Sequence, residues 1–392
     1  MNKFFLNLGI QPLANNYLSD FRIKQKKYNL KLNFNTKSKI VSISKRISSK
    51  EMFHSKYPYR SSLSKTMIDS FKKISLEISK KFNPNLMLEI GSNDGALICN
   101  FEKDKVIGVE PCSNLAQITQ KKGYRTYDQY WDYNLSTTLK KKFKKIDLIY
   151  SANTLTHISD LNEVFRSITN VLSNNGVLII EEPSLLECIK KNAYDQFYNE
   201  HIYVFSIISL KNILNKFNLE IFDVKNLQTH GGSLRYYIKR KKNRKINISL
   251  NVKKQINKEI KFGLHKFITF KKFGKKVEKS KEKLIKIFTN IKKNNKKIIG
   301  YGATAKAATV MNYCNINDKT ISFFIDTTKE KTNKYLPGTN IKILKYQNKL
   351  IEKNDYIFLG AWNFKKEIFK KEIKFIRRGG RFITHVPYPR II

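Results

Sequence analysis

The chain has 392 residues, 41% of them hydrophobic, and 76 Lys and Arg against 31 Asp and Glu give a formal net charge of +45. That length supports two or three domains with real cores, and the absence of any run of about 18 apolar residues excludes a membrane-spanning helix. The four cysteines (Cys99, Cys112, Cys188 and Cys314) form no CxxC pair, which excludes a zinc knuckle and a disulfide framework and suits a reducing cytoplasm.

The first ten residues carry no secretory signal. The lysines are spread along the whole chain with abundant Asn and Ile, a combination that AT-rich codons produce. Runs such as Lys140–Lys145 and Lys239–Lys245 lack the interleaved stacking residues of a nucleic-acid platform and read as solvated faces. Neither a nucleic acid nor a membrane is expected as a partner.

Residues 1–67 form a mixed, short N-terminal lobe with β-prone stretches such as Lys39–Ser44. From Ser64 to Lys81 apolar residues recur at helical spacing (Met67, Ile68, Phe71, Ile74, Ile78). Buried strands follow at Leu86–Ile90, Val106–Glu110, Ile146–Ser151 and Gly176–Glu181, with a helix over Val164–Leu172. Residues 68–245 therefore read as a doubly wound α/β domain. Residues 246–293 are a Lys-rich helical connector, with apolar positions at Ile256, Ile260, Leu264, Phe267 and Ile268 and a break expected near Phe273–Gly274. A second α/β unit over 294–392 has strands at Lys297–Tyr301, Ile321–Asp326, Tyr356–Leu359 and Arg381–Val386, and a helix over Ala303–Cys314. The fold class is α/β, with two Rossmann-like domains and the short N-terminal lobe.

Two strand–glycine-turn–helix units stand out. In Leu88-Glu-Ile-Gly-Ser-Asn-Asp-Gly-Ala-Leu97, glycines after a buried strand let the backbone approach a ligand. The form is E-x-G-x-x-x-G, with Glu89 and Asp94 flanking Gly91, Ser92, Asn93 and Gly95. Carboxylates there repel a diphosphate and welcome a cationic methionine end. Glu110, ending the next strand, suits the two hydroxyls of a ribose. The pair points to S-adenosylmethionine, with Asn153 on the same face. In Ile299-Gly-Tyr-Gly-Ala-Thr-Ala-Lys306, Lys306 replaces the acids. Gly302, Thr304 and Lys306 suit a diphosphate, Asp326 a ribose or base, and Lys334 is one of three nearby lysines.

These motifs, with Leu8–Tyr17, Tyr57-Pro-Tyr-Arg-Ser-Ser62, Asn153-Thr-Leu-Thr-His157, Tyr198-Asn-Glu-His201, His230-Gly-Gly-Ser-Leu-Arg235, Tyr335–Thr339 and Gly379–Phe382, resemble the sugar C-methyltransferase family typified by nucleotide-hexose C-3 methyltransferases. The resemblance spans nearly the whole chain. It implies a class I methyltransferase domain and a C-terminal domain that binds the nucleotide sugar. The family also begins with a zinc domain of four cysteines; this chain has none before Cys99, so a metal-free lobe is expected.

Methylating carbon requires an acidic C–H, hence a 4-keto sugar whose enolate attacks the methyl donor. By resemblance the catalytic residues fall on Tyr198, Glu200, His201 and His157. One of Tyr57 and Tyr59 matches an active-site tyrosine, taken as Tyr57, with Tyr59 as a substrate contact. His201 suits a general base, Glu200 an orienting group or the base itself, and Tyr198 a donor to the keto oxygen. His230 and Gly231 are expected to line the substrate cleft. Two alternatives stand beside this: an O- or N-methyltransferase on the same fold, and a basic RNA-binding protein that has kept it. A monomer is the expected state.

Overall fold

The computed structural model describes residues 1–55 and 57–392. Its central sheet has seven strands in the order Leu219–Leu227, Ser233–Arg240, Leu172–Pro183, Ile146–Ala152, Met87–Ile90, Val106–Val109 and Arg125–Tyr127. The five from Leu172–Pro183 onward are parallel, and Ser233–Arg240 runs antiparallel to both neighbours. Every residue of Met87–Ile90 and Val106–Val109 is buried, as helices on both faces require. The helix Lys65–Lys81 buries Met67, Phe71, Ile74 and Ile78 on one face; Ile68, grouped with them by periodicity, faces solvent. Asp160 caps the helix Leu161–Val171 by accepting from the amides of Asn162 and Glu163.

The C-terminal sheet has the order Lys342–Lys345, Phe323–Asp326, Ile298–Tyr301, Tyr356–Leu359, Arg381–Thr384 and Arg390–Ile391, parallel except for the last strand. In both sheets the strand before a glycine turn lies between strands that are reached in opposite directions. That switch point opens a ligand crevice at the carboxyl ends.

The connector is two helices, Leu250–Phe262 and Phe267–Lys293, divided at Gly263 in a left-handed conformation. The break expected near Phe273–Gly274 does not occur. Gly274 sits inside the long helix because a Cβ there would lie 2.4 Å from the Phe5 carbonyl oxygen of the N-terminal lobe. The glycine marks a close approach between elements instead of a helix end. Ile260 and Ile268 face solvent, whereas Leu264 is buried.

The N-terminal lobe is an antiparallel sheet of Asn2–Pro12, Lys27–Asn35 and Val41–Ile43, to which Tyr203–Val204 adds a fourth strand. Leu6, Leu8, Leu30, Leu32 and Phe34 form its buried face. Phe34 stacks on Phe270 of the long helix with ring centroids 4.5 Å apart, and Phe5 meets the same ring at 5.4 Å. An apolar seam thus holds a lobe whose sequence offers no cysteine ligands. Among the described residues no helix is long and apolar enough to cross a membrane.

Candidate active site

One cavity of about 780 Å³ lies where the three sheets meet, lined by the first glycine turn, the second glycine turn and the segment 196–201. On the first side, Gly91 has φ +75° and Asn93 φ +51°. The amides of Gly91 and Ser92 donate to the Val109 carbonyl at 2.8 and 3.1 Å. Glu110 accepts from the amides of Asn93 (2.8 Å) and Cys112 (2.9 Å), which fixes its carboxylate at the rim of the crevice. Glu89 Oε2 and Ser92 Oγ are buried without a hydrogen-bond partner among the described residues. Burial holds the carboxyl of Glu89 well above the usual range, and the Glu110 charge adds to this. A ligand with an ammonium and ribose hydroxyls satisfies this set, so the residues fit S-adenosylmethionine. Asn153 (φ +53°) ends the neighbouring strand and lines the same space.

The floor of the cavity carries two imidazoles with ring centroids 5.0 Å apart. His201 Nδ1 lies 2.7 Å from the Gln196 carbonyl, and His157 Nδ1 lies 2.6 Å from the Glu200 carbonyl. A carbonyl only accepts, so each Nδ1 carries the hydrogen and each Nε2 carries the lone pair. His201 Nε2 therefore accepts from the Tyr198 hydroxyl at 2.5 Å. Burial lowers both imidazoles, His157 to about 4 and His201 well below its ordinary value, with His157 and Lys306 adding to the second. Both are neutral bases at pH 7. Tyr57, buried with a raised pKa, and half-exposed Tyr59 cover the floor from the N-terminal side.

Residues 59–224 match the family described as methyltransferase domain, and residues 228–387 match the C-methyltransferase C-terminal domain. This chain is an S-adenosylmethionine-dependent methyltransferase with a C-methyltransferase C-terminal domain. It is 29% identical over 310 residues to the C-methyltransferase NovU of Streptomyces niveus, covering 79% of this chain and 74% of that one. A solved methyltransferase from Clostridium acetobutylicum matches at 15% identity over 44% of this chain and 92% of that one (TM-score 0.34). Magnesium protoporphyrin IX methyltransferase from Synechocystis, with bound S-adenosylmethionine, matches at 14% over 45% and 78% (TM-score 0.32).

Several expected residues of the enzyme serve other purposes. Asp94 does not line the cavity; it accepts from Arg60 Nε (3.2 Å), the Ser62 amide (3.2 Å) and the Ser62 hydroxyl. With Asn93, which accepts from the Ser61 amide at 2.9 Å, it pins the Tyr59–Ser62 segment over the site. Gly95 packs on Thr119, its built Cβ falling 2.3 Å from the threonine methyl. Glu200 does not touch His201. Its carboxylate accepts from the amides of Ala14 (3.3 Å) and Asn15 (3.0 Å), anchoring the loop after the first strand, and it stays outside the cavity lining. The Gln196 carbonyl takes the orienting role expected of Glu200.

On the C-terminal side Gly302 (φ +84°), Thr304 and Lys306 line the cavity as expected. Asp326 does too, but its oxygens are held by the amides of Ala303 and Thr328, both at 2.8 Å. This repeats the way Glu110 braces the first turn. The cation beside it is Lys331, 3.8 Å from Asp326 and 5.5 Å from the Tyr17 ring centroid; Lys334 lies outside the lining. His230 (φ +53°) lines the cavity, whereas Gly231 is wedged against Trp362, where a Cβ would come within 2.3 Å. Sequence reasoning missed Gln196, Asp195, Trp362 and Tyr17. Gln196 acts through its backbone, which leaves no mark in side-chain chemistry, although Asp195-Gln196 directly precedes the Tyr198–His201 cluster.

Proposed function

We propose that the enzyme C-methylates a nucleotide-activated 4-keto-deoxysugar at the carbon beside the ketone. The observation that carries this is the Tyr198–His201 pair: a neutral imidazole with a basic Nε2, hydrogen-bonded to a phenol, in a cavity that also meets both glycine turns. S-adenosylmethionine, held by Glu89, Gly91, Ser92 and Glu110, supplies an electrophilic methyl group when bound.

The chain's own residues prepare the acceptor. The substrate C–H gives its proton to the Tyr198 oxygen as the Tyr198 proton passes to His201 Nε2, so His201 ends as the acid. Tyr57 donates to the enolate oxygen, and His157 Nε2 accepts from a sugar hydroxyl. Gly302, Thr304, Asp326 and Lys331 hold the nucleotide half, and the aromatic cover of Tyr57 and Tyr59 excludes water. In this reading the enzyme works as a cytoplasmic monomer without nucleic-acid or membrane partners. Four unpaired cysteines agree with a reducing compartment.

The test uses a thymidine-diphospho-4-keto-6-deoxysugar in deuterated water, with and without S-adenosylmethionine, followed by mass spectrometry. Wild type should take up one deuterium without the donor and gain one methyl with it, and His201→Asn should lose both. A methyl gain without exchange would point to an oxygen or nitrogen acceptor. Salt-sensitive RNA binding with neither reaction would favour the RNA-binding alternative.

A further inference from the structure

Lys306 lies in the first turn of the helix Ala305–Tyr313, which Thr304 caps by accepting from the Ala307 amide at 3.1 Å. It lines the cavity, and among the described residues no protein group hydrogen-bonds its ammonium. It shares the lining of that cavity with Tyr198, His201 and His230. Lys331, the other cavity cation, is different: it is paired with Asp326 and Tyr17 at the nucleotide end. With Lys331 paired at the nucleotide end, Lys306 is the cavity cation left to meet a charge that develops on the sugar.

The segment Tyr194–Gln196 explains how that position is kept. Asp195 is fully buried between the two α/β domains. Its Oδ2 accepts from Trp362 Nε1 at 2.6 Å and lies 3.1 Å from His385 Nε2, while Oδ1 has no hydrogen-bond partner among the described residues. The next residue, Gln196, holds His201 Nδ1 by its carbonyl and donates through Nε2 to the His230 carbonyl at 2.6 Å. One three-residue turn thus orients the base and supplies the counter-charge of the lysine. Burial lowers the pKa of Lys306, and Asp195 opposes this.

We infer that Lys306 is a catalytic residue, holding the oxygen that becomes negative when the substrate carbon loses its proton, and not a ligand of the diphosphate. The inference rests on the keto-sugar reading above. In the step, the C–H bond breaks and its proton moves to the Tyr198 oxygen as the Tyr198 proton moves to His201. The C–H electron pair forms the C=C bond, and the carbonyl π pair moves onto oxygen, facing the ammonium. One positive and one negative charge form together, so the step is neutral overall. A preorganised cation in a water-poor site is where such charge is stabilised most.

The test is solvent deuterium uptake by thymidine-diphospho-4-keto-6-deoxyglucose on the full-length enzyme without methyl donor, alongside calorimetric binding of thymidine diphosphate, which lacks the sugar. Lys306→Met should slow exchange at saturating substrate about 10²- to 10³-fold while changing thymidine diphosphate affinity by less than about threefold. Lys306→Ala should regain part of its exchange rate when ethylammonium is added, a response that a misfolded variant would not give. Exchange close to wild type, or thymidine diphosphate binding weakened in step with exchange, would overturn the assignment and return Lys306 to the diphosphate. A wild-type enzyme that exchanges nothing would fail the keto-sugar reading itself, before any variant is made.

Discussion

Replacing Gly91 by alanine probes the methyl-donor side with a magnitude that the structure sets. Two costs add. The backbone at φ +75° is left-handed, which penalises any Cβ by about 1–2 kcal/mol. The added Cβ would lie 2.1 Å from Thr154 Oγ1, 2.7 Å from its methyl and 2.9 Å from its Cβ. Rotating Thr154 clears the first two atoms but not the third, so the loop 153–157 must shift, at about 1–3 kcal/mol for overpacking. That loop is braced from below, where Glu182 accepts from the amides of Thr154 (3.2 Å) and Thr156 (3.3 Å), and it carries His157. The sum is about 2–5 kcal/mol, taken from the folded state, from donor affinity or from both. Calorimetry with S-adenosylhomocysteine and thermal denaturation read the two shares. The double variant Gly91→Ala/Thr154→Ala keeps the Thr154 Cβ, so it should recover only the smaller share of the overpacking part and none of the backbone part. Wild-type affinity and stability in Gly91→Ala alone would refute the claim that this turn is tightly built around the donor.

Glu200→Gln keeps one acceptor for the Ala14 and Asn15 amides, so stability should fall by about 1–2 kcal/mol and deuterium exchange by less than about tenfold; loss of exchange beyond about a thousandfold at unchanged stability would make Glu200 the base after all. His157 sets a pH dependence. Its folded pKa is about 4 against about 6.5 unfolded, so in that window the unfolded chain binds the extra proton and stability rises with pH, levelling off above about 6.5. Denaturation followed across the window should be shallower in His157→Asn by up to about 1.4 kcal/mol per pH unit; an unchanged slope would mean that His157 is protonated in the folded enzyme.

The inner parallel strands of both α/β domains are legible because a strand buried on both faces is a short apolar run, and because a glycine at its end marks the turn; the outer strands Arg125–Tyr127, Leu219–Leu227, Ser233–Arg240, Lys342–Lys345 and Arg390–Ile391 are not. Gly263 was missed in favour of Gly274 because local sequence does not separate a glycine that ends a helix from one that admits a neighbouring backbone. The N-terminal strands Asn2–Pro12 and Lys27–Asn35 read only as mixed, since the outward face of the second alternates Lys and Asn with little β preference and register shifts break the alternation of the first. At the site, residues that line the cavity are marked either by the chemistry of the glycine turn, as with Gly302 and Lys306, or by the family resemblance, as with His157, Tyr198 and His201. Those that act through main-chain contacts, or that brace a turn from behind, were not separable from ligand groups. Asp94 and Glu200 are both acids at motif positions, yet neither lines the cavity and protein donors claim their oxygens. Lys331 and Lys334 differ by one turn, and only the fold decides which one faces inward.

The central claim is that the new bond is made to carbon beside a ketone. The most direct measurement is carbon-13 NMR of the product formed from a thymidine-diphospho-4-keto-6-deoxysugar and methyl-labelled S-adenosylmethionine. The expected product carries a labelled methyl in the aliphatic region, coupled to a ring carbon next to the ketone, and His201→Asn should form none of it. A labelled methyl in the methoxy region, or one formed at an undiminished rate by the variant, would contradict that claim.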